Sequence, residues 1–308
     1  MKKDLLSISD LDRKEAEGLI GQALRMKREG TPPLLLAGKT LALLFEKPSL
    51  RTKVSFQMAM HQMGGHSIYM SPEEVGLGKR EPVADVARVL SRYVDAITAR
   101  TFSHETIRIL AKYSPIPVIN ALSDLEHPCQ SLADLLTIRE KKGKLSGLTL
   151  AYVGDGNNVA NSLLLAACLV GVNFSIATPA GYQVEEAILN RGKEYAAASS
   201  SRVRTTTDPY EAVKDADVVY TDVWTSMGQE KESEKRRLAF SGFQVDARML
   251  DAARKDALFM HPLPAHPGEE ISPGLLDDPR SVVFDEAENR LHAQKALLAK
   301  LLAPGRAK

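Results

Sequence analysis

Short apolar runs alternate with longer amphipathic stretches along almost the whole chain, and that alternation leaves few folds open. A strand buried on both faces reads as a continuous apolar run, and a helix laid against it reads as a stripe of 3.6-residue period. Residues 40–45, 67–70, 95–99 and 117–120 form a first series of such runs, and 149–153, 174–177, 203–206, 218–221 and 258–260 a second. The expected class is α/β: two domains, each a mostly parallel sheet flanked by helices, with about five strands apiece. The 308 residues suit that division, at roughly 150 residues per domain. The polar, Gly-bounded stretch 141–147 sets the expected boundary, giving domains over 1–143 and 144–285. Two helices lie outside the alternating series. One spans about 13–29 and stops at Gly30 and Pro32-Pro33; the other spans about 286–302 and stops at Pro304 and Gly305.

Charge narrows the partners. With 40 Lys+Arg against 39 Asp+Glu the formal charge is +1, whereas a nucleic-acid or anionic-membrane partner needs a basic surplus. An anionic ligand must then be met by a local cluster. The two cysteines, Cys129 and Cys168, neither make a disulfide framework nor show paired ligand spacing, which suits a reducing compartment and gives cytoplasm as the expectation. The seven histidines show no metal-binding spacing, so no metal or organic cofactor is expected. The longest apolar stretch, 163–172, is half of the ~20 residues a membrane span needs, and no membrane partner is expected.

In parallel α/β architecture, ligands bind beyond the carboxyl ends of the strands, so the loops there carry the chemistry. After the first strand comes Glu46-Lys47-Pro48-Ser49-Leu50-Arg51-Thr52. With Ser49 as N-cap, the first-turn amides, the planar fork of Arg51 and the hydroxyls of Ser49 and Thr52 make a phosphate cradle. The plain alternative is a capped helix with a solvated arginine. Glu126-His127-Pro128-Cys129-Gln130 enters another helix, with Pro128 suited to its first position. Gly154-Asp155-Gly156-Asn157-Asn158 superficially matches a dinucleotide fingerprint but fails it, because Val159 stands at the third glycine position and no acid lies some 20 residues on. The Asn pair instead offers amide donors for a carboxylate, or caps a helix. Loops at 222–228 and 261–266 follow the last two strands.

Ser49-Leu50-Arg51-Thr52, His127-Pro128-Cys129-Gln130, Asp222-Val223-Trp224-Thr225-Ser226-Met227-Gly228, His261-Pro262-Leu263-Pro264 and Glu286-Ala287-Glu288-Asn289-Arg290 together resemble, in order and spacing, the aspartate/ornithine carbamoyltransferase family. The 222–228 stretch looks like the Ser-Met-Gly loop of its ornithine branch. That resemblance implies transfer of the carbamoyl group of carbamoyl phosphate to the δ-amine of L-ornithine, giving citrulline and phosphate. Its carbamoyl phosphate set comprises Ser49, Leu50, Arg51, Thr52, Arg100, His127, Pro128, Cys129, Gln130, Pro262, Leu263 and Arg290. Among these Thr52, Arg100 and His127 donate to the carbonyl oxygen as it gains charge. Asn158 takes the ornithine α-carboxylate, and Asp222, Ser226 and Met227 the α-amino end. The resemblance also implies a C-terminal helix, 286–303, crossing back onto the first domain, and a homotrimer, or a multiple of trimers, with sites at subunit boundaries.

The chain departs from the family pattern twice. Pro262 stands where the ornithine branch usually has Cys, and Gly76 where the family usually has a Gln or His that reaches the neighbouring subunit. Pro262 keeps open a different amine, such as putrescine or acetylornithine, and the two departures together keep open a non-catalytic subunit of the same build. Arg51→Lys separates the cradle from the solvated arginine, since lysine keeps the charge but not the two-pronged contact. Loss of charge-assisted bonds of roughly 1.5–3 kcal/mol each lowers carbamoyl phosphate kcat/KM by at least about ten-fold. Steady-state kinetics check it, and an unchanged value removes Arg51 from the site.

Overall fold

The computed structural model of the chain describes residues 2–32, 34–226 and 228–303. They form two compact units, Met1–Leu136 with Glu288–Lys308, and Thr137–Ala287. The change of unit falls inside the helix that ends at Lys142, just before the Gly-bounded stretch.

In unit 1 the strands are β1 (Thr40–Phe45), β2 (His66–Met70), β3 (Ala96–Arg100) and β4 (Val118–Leu122). The helices are α1 (Arg13–Glu29), α2 (Leu50–Gln62), α3 (Pro72–Val75), α4 (Val83–Leu90), α5 (His104–Tyr113) and the start of α6 (Pro128–Lys142). All pairs are parallel, in the order β2-β1-β3-β4. Four strands, not five, make this sheet. The place beside β4 is taken by the N-terminal segment, which adds one parallel bridge, Leu5 to Ile119. Leu41 to Phe45 are fully buried, as a central parallel strand covered on both faces must be.

Unit 2 holds β5 (Thr149–Val153), β6 (Asn173–Ala177), β7 (Val203–Thr206), β8 (Val218–Tyr220) and β9 (Leu258–Met260), with α7 (Asn158–Leu169), α8 (Glu186–Ser199), α9 (Pro209–Val213), α10 (Ser233–Ala239) and α11 (Ala247–Ala252). The last helix, α12 (Val283–Leu302), begins in unit 2, and its residues from Glu288 on belong to unit 1. The sheet order is β7-β6-β5-β8-β9, again all parallel. The apolar stretch at 163–172 is mostly α7, buried on every side from Val159 to Leu169, which is why it carries no polar stripe. Gly192 of α8 lets that helix approach, for a Cβ there would stand 2.0 Å from a Leu164 methyl carbon. No described helix is long and apolar enough to cross a membrane.

Each sheet has one place where the chain leaves a central strand to opposite sides. In unit 1 it lies between β1 and β3, where Phe45 pairs with Arg100. In unit 2 it lies between β5 and β8, where Tyr152 pairs with Tyr220. Loops following these strand ends diverge and leave a crevice at the sheet edge.

Candidate active site

The loop after β1 and the end of β3 are pinned together by backbone, since the Glu46 amide donates to the Arg100 carbonyl at 2.8 Å. Glu46 Oε2 also accepts from the Phe102 amide at 2.9 Å. Ser49 is the N-cap of α2, its hydroxyl accepting from the Thr52 amide at 3.3 Å. Pairing of β3 with β4 shifts between Ala99 and Arg100, so Arg100 sits at an irregularity of the kind that re-aims a side chain.

Three guanidinium groups converge here. Arg100 is 7% exposed and Arg290 3%, and Arg51 is half-buried. Burial, together with the positive charges of Arg290 and Arg51, pushes Arg100 down to about 10, a large shift for a group that is otherwise always protonated. Burial also lowers Arg51. The Arg100 Nε has no hydrogen-bond partner among the described residues. Arg290 donates from Nη2 to the Thr52 hydroxyl. Because that bond takes a lone pair, the Thr52 proton is left to donate elsewhere. Cations gathered out of water with the charges on Arg100 all of its own sign make an anion site.

His127 immediately precedes α6 and is 4% exposed. Burial, with the charges of Arg290 and Arg100, holds its pKa well below the ordinary histidine value, so it is a neutral imidazole at neutral pH. Gln130, one turn on, donates from Nε2 to Asp134 at 2.8 Å. Cys129 turns instead to β4, its thiol donating to the Asn120 carbonyl at 3.4 Å. Burial pushes that thiol up to about 12, which excludes a thiolate nucleophile. Ser49, Leu50, Arg51, Thr52, Arg100, His127, Pro128, Cys129, Gln130 and Arg290 thus all belong to unit 1, whereas Pro262 and Leu263 belong to unit 2.

In unit 2 the two Asn residues divide the roles open to them. Asn157 caps α7, its Oδ1 accepting from the amides of Val159 and Ala160 at 2.9 and 3.1 Å. Its Nδ2 donates to Asp222 at 2.8 Å. Asn158, half-buried, opens the helix. Asp222 is 7% exposed just beyond β8; burial raises its carboxyl, opposed by the Asn157 bond and the Val223 amide. Ser226 is half-buried with its amide on Gln229. Met227 lies outside the described residues.

His261 fixes the next loop. Its Nδ1 accepts from the Leu263 amide at 2.9 Å, and an amide can only donate, so the ring proton is on Nε2. That proton is given to Glu270, at 3.2 Å, while the His261 amide is held by Glu286 at 2.9 Å. The clamp holds Leu263 at φ 54°, a left-handed conformation that costs a branched residue about 1–3 kcal/mol. Buried Pro262 lies inside this clamp. Among the described residues one set has metal-type ligand atoms close together, His266, Glu269 and Glu270. Ion pairing accounts for it, since Arg237 holds Glu269 and Glu270 faces both histidines.

Two features escaped the sequence. Arg236 of α10 donates from one nitrogen to Asp155 and to the Trp224 carbonyl, both at 2.8 Å, and its guanidinium lies 5.0 Å from the centre of the Tyr182 ring. It ties the 154–158 turn to the 222–228 loop, but its partners stand 81 and 12 residues away, with no local pattern to betray them. The second is at Gly76, which has φ 52° and where a Cβ would stand 3.0 Å from the Arg80 Cβ. Position 76 can therefore carry a side chain only if position 80 gives way.

Similarity to known proteins agrees with this geometry. Residues 3–140 match the aspartate/ornithine carbamoyltransferase carbamoyl-P binding domain and 146–301 the Asp/Orn binding domain of the same family. The chain is 52% identical to an ornithine carbamoyltransferase of Anoxybacillus flavithermus, over 97% of this chain and 96% of that one. It is 51% identical to that of Bacillus subtilis, over 98% and 95%. A solved ornithine carbamoyltransferase from Pyrococcus furiosus superposes with a TM-score of 0.94 at 50% identity, over 99% of this chain and 98% of that one.

The buried Arg236–Asp155 pair has a measurable sign. Burial raises Asp155 to about 6, against the lowering effect of Arg236. A carboxyl whose folded pKa lies above its unfolded one binds more protons when folded, so it costs stability as pH rises through 6. Arg236→Met removes the opposing charge and leaves the carboxylate alone, at roughly 3–5 kcal/mol. Thermal melts are expected to show a larger drop in Tm at pH 8 than at pH 5, where Asp155 protonates; equal drops contradict the pairing.

Proposed function

Since the chain belongs to the aspartate/ornithine carbamoyltransferase family, we propose that it transfers the carbamoyl group of carbamoyl phosphate to the δ-amine of L-ornithine, giving citrulline for arginine biosynthesis and phosphate. The observation that carries this reading is the convergence of Arg51, Arg100 and Arg290 on the capped start of α2. Carbamoyl phosphate is close to a dianion, and it is the ligand in the family name of that domain.

The phosphate lies on the first-turn amides of α2, on the hydroxyls of Ser49 and Thr52, and on Arg51 and Arg290. The carbamoyl oxygen faces Thr52, Arg100 and His127, with Gln130 on the carbamoyl nitrogen. Attack by the neutral amine on the carbamoyl carbon puts negative charge on that oxygen. The free Thr52 proton, the Arg100 cation and the neutral His127 N–H stabilise it, and a fixed donor of this kind is worth about 2.7–4 kcal/mol. Expulsion of phosphate then completes the transfer. On the ornithine side, the α-carboxylate takes Asn158 at the positive end of α7, and the α-ammonium takes Asp222, which Asn157 orients, with Ser226 and Met227 beside it. None of these steps uses a metal or organic cofactor.

The reading extends to a cytoplasmic homotrimer, or a multiple of trimers. Support comes from the outer face of α2, where Leu50, Val54 and Met58 are 76, 47 and 37% exposed at successive four-residue steps, an apolar stripe adjoining Arg51 of the kind that marks a contact with another chain. A second acceptor amine is favoured by Pro262 alone, which offers neither a thiol nor an N–H.

Carbamoyl phosphate with ornithine, putrescine, acetylornithine or aspartate, followed as ureido product, tests the assignment. Ornithine is expected to give the highest kcat/KM; putrescine or acetylornithine giving it instead moves the assignment to that amine, and no product from any of the four removes catalysis. With ornithine, efficiency is expected to rise from pH 7 to 9. A free alkyl amine has a pKa about 10.4, so at pH 7 the neutral form is disfavoured by about 4.6 kcal/mol. Arg100, at about 10, keeps its charge through this range. A flat or falling profile contradicts the neutral amine as nucleophile.

A further inference from the structure

Glu126 adjoins His127 and is 2% exposed, yet neither the carbamoyl phosphate chemistry nor the packing of α6 requires an acid there. Both of its carboxylate oxygens turn to the N-terminus. Oε1 accepts from the Ser7 hydroxyl, and Oε2 from the Ile8 amide at 3.0 Å. The segment that supplies these donors is itself bound along β4. The Leu5 amide donates to the Val118 carbonyl at 3.0 Å and the Asn120 amide to the Leu5 carbonyl at 2.8 Å. Asp4 accepts from the Val118 amide at 2.8 Å. The Asn120 side-chain amide donates to the Leu6 carbonyl at 2.8 Å and also reaches the Ser123 hydroxyl at 3.3 Å and the Glu126 carbonyl at 3.4 Å. Leu5 and Ile8 are fully buried.

We infer that residues 4–8 are a positioning strap: through Glu126 they fix the backbone at which His127 enters the active site. The strap closes the otherwise open edge of the sheet at β4 and grips the 123–127 turn from outside, where the Ser123 amide already donates to the Glu126 carbonyl at 2.9 Å. Glu126 is the residue directly before His127, so a carboxylate that never touches substrate anchors the backbone from which the imidazole extends. Glu126 and Ser7 are positioning residues. This inference rests on the carbamoyl transfer reading, in which His127 donates to the carbamoyl oxygen.

The test uses the full chain with Glu126→Gln, Glu126→Asp and Ser7→Ala, kinetics being measured against each substrate in turn beside thermal melts. Glu126→Gln keeps the shape and loses the charge, and is expected to lower kcat/KM for carbamoyl phosphate about ten-fold with KM for ornithine within two-fold. Glu126→Asp keeps the charge and is expected to recover part of the loss. Ser7→Ala removes one donor and gives a smaller loss in the same parameter, and combined with Glu126→Gln it adds little beyond Glu126→Gln alone. If instead Tm falls while carbamoyl phosphate kinetics stay within two-fold, the strap only stabilises the fold and the inference is overturned. A loss confined to KM for ornithine, with kcat unchanged, overturns it too. A parent protein that makes no ureido product refutes the carbamoyl transfer reading itself, a result distinct from an active parent with indifferent variants.

Discussion

Parallel pairing of β1 with β3, and of β5 with β8, is the constraint on which the rest of the molecule depends. A parallel pair points both carboxyl ends the same way, and at these two places the connections leave toward opposite faces. Phe45 and Arg100 therefore end side by side, as do Tyr152 and Tyr220 one strand end away from Asn157 and Asp222. Ser49 to Thr52, Arg100, Asn158, Asp222 and Ser226 stand at or beyond the ends of these four strands, while His127 to Gln130 follow β4, Pro262 and Leu263 follow β9, and α12 brings in Arg290. The cost is desolvation, since strands covered on both faces carry their terminal charges into poorly hydrated surroundings.

The two units meet that cost in opposite ways. Unit 1 gathers cations, and burial together with their like charges lowers Arg100 and keeps His127 neutral. Unit 2 gathers acids and gives each a donor: Asp155 has Arg236, Asp222 has Asn157, Glu270 has His261, and Glu286 has the His261 amide. For Glu270 these bonds outweigh burial, and its carboxyl sits below its usual value. Unit 1 thus sets Arg100 against charges of its own sign, while unit 2 gives each of these acids a donor and presents small polar groups. That contrast suits one dianionic substrate and one zwitterionic substrate.

Much of this was legible in the residues because it is local. The Ser49 cap, the apolar runs of β1 and β5, and the Asn157 cap all follow from neighbours within a few positions. The failed dinucleotide fingerprint was readable for the same reason. Gly156 nevertheless proves tightly used, since a Cβ there would stand 2.4 Å from the Val184 amide nitrogen. What stayed hidden is long-range. The reading of about five strands per half exceeds the four of the first sheet, beside which only the single bridge of Leu5 stands. The Arg236 clamp and the tautomer of His261 depend on partners that only the folded chain brings near.

The contact between positions 76 and 80 constrains how this chain can change over generations. Gly76 occupies a left-handed turn, and the room its missing side chain leaves is lined by Arg80. A side chain acquired at 76 would meet both the left-handed backbone and a β-carbon at position 80, which every residue but glycine carries, so trimming the arginine does not by itself make room. Position 76 is thus tied to the backbone of position 80 and not to the identity of its side chain, and a lineage that gives 76 a new task must reshape the turn itself.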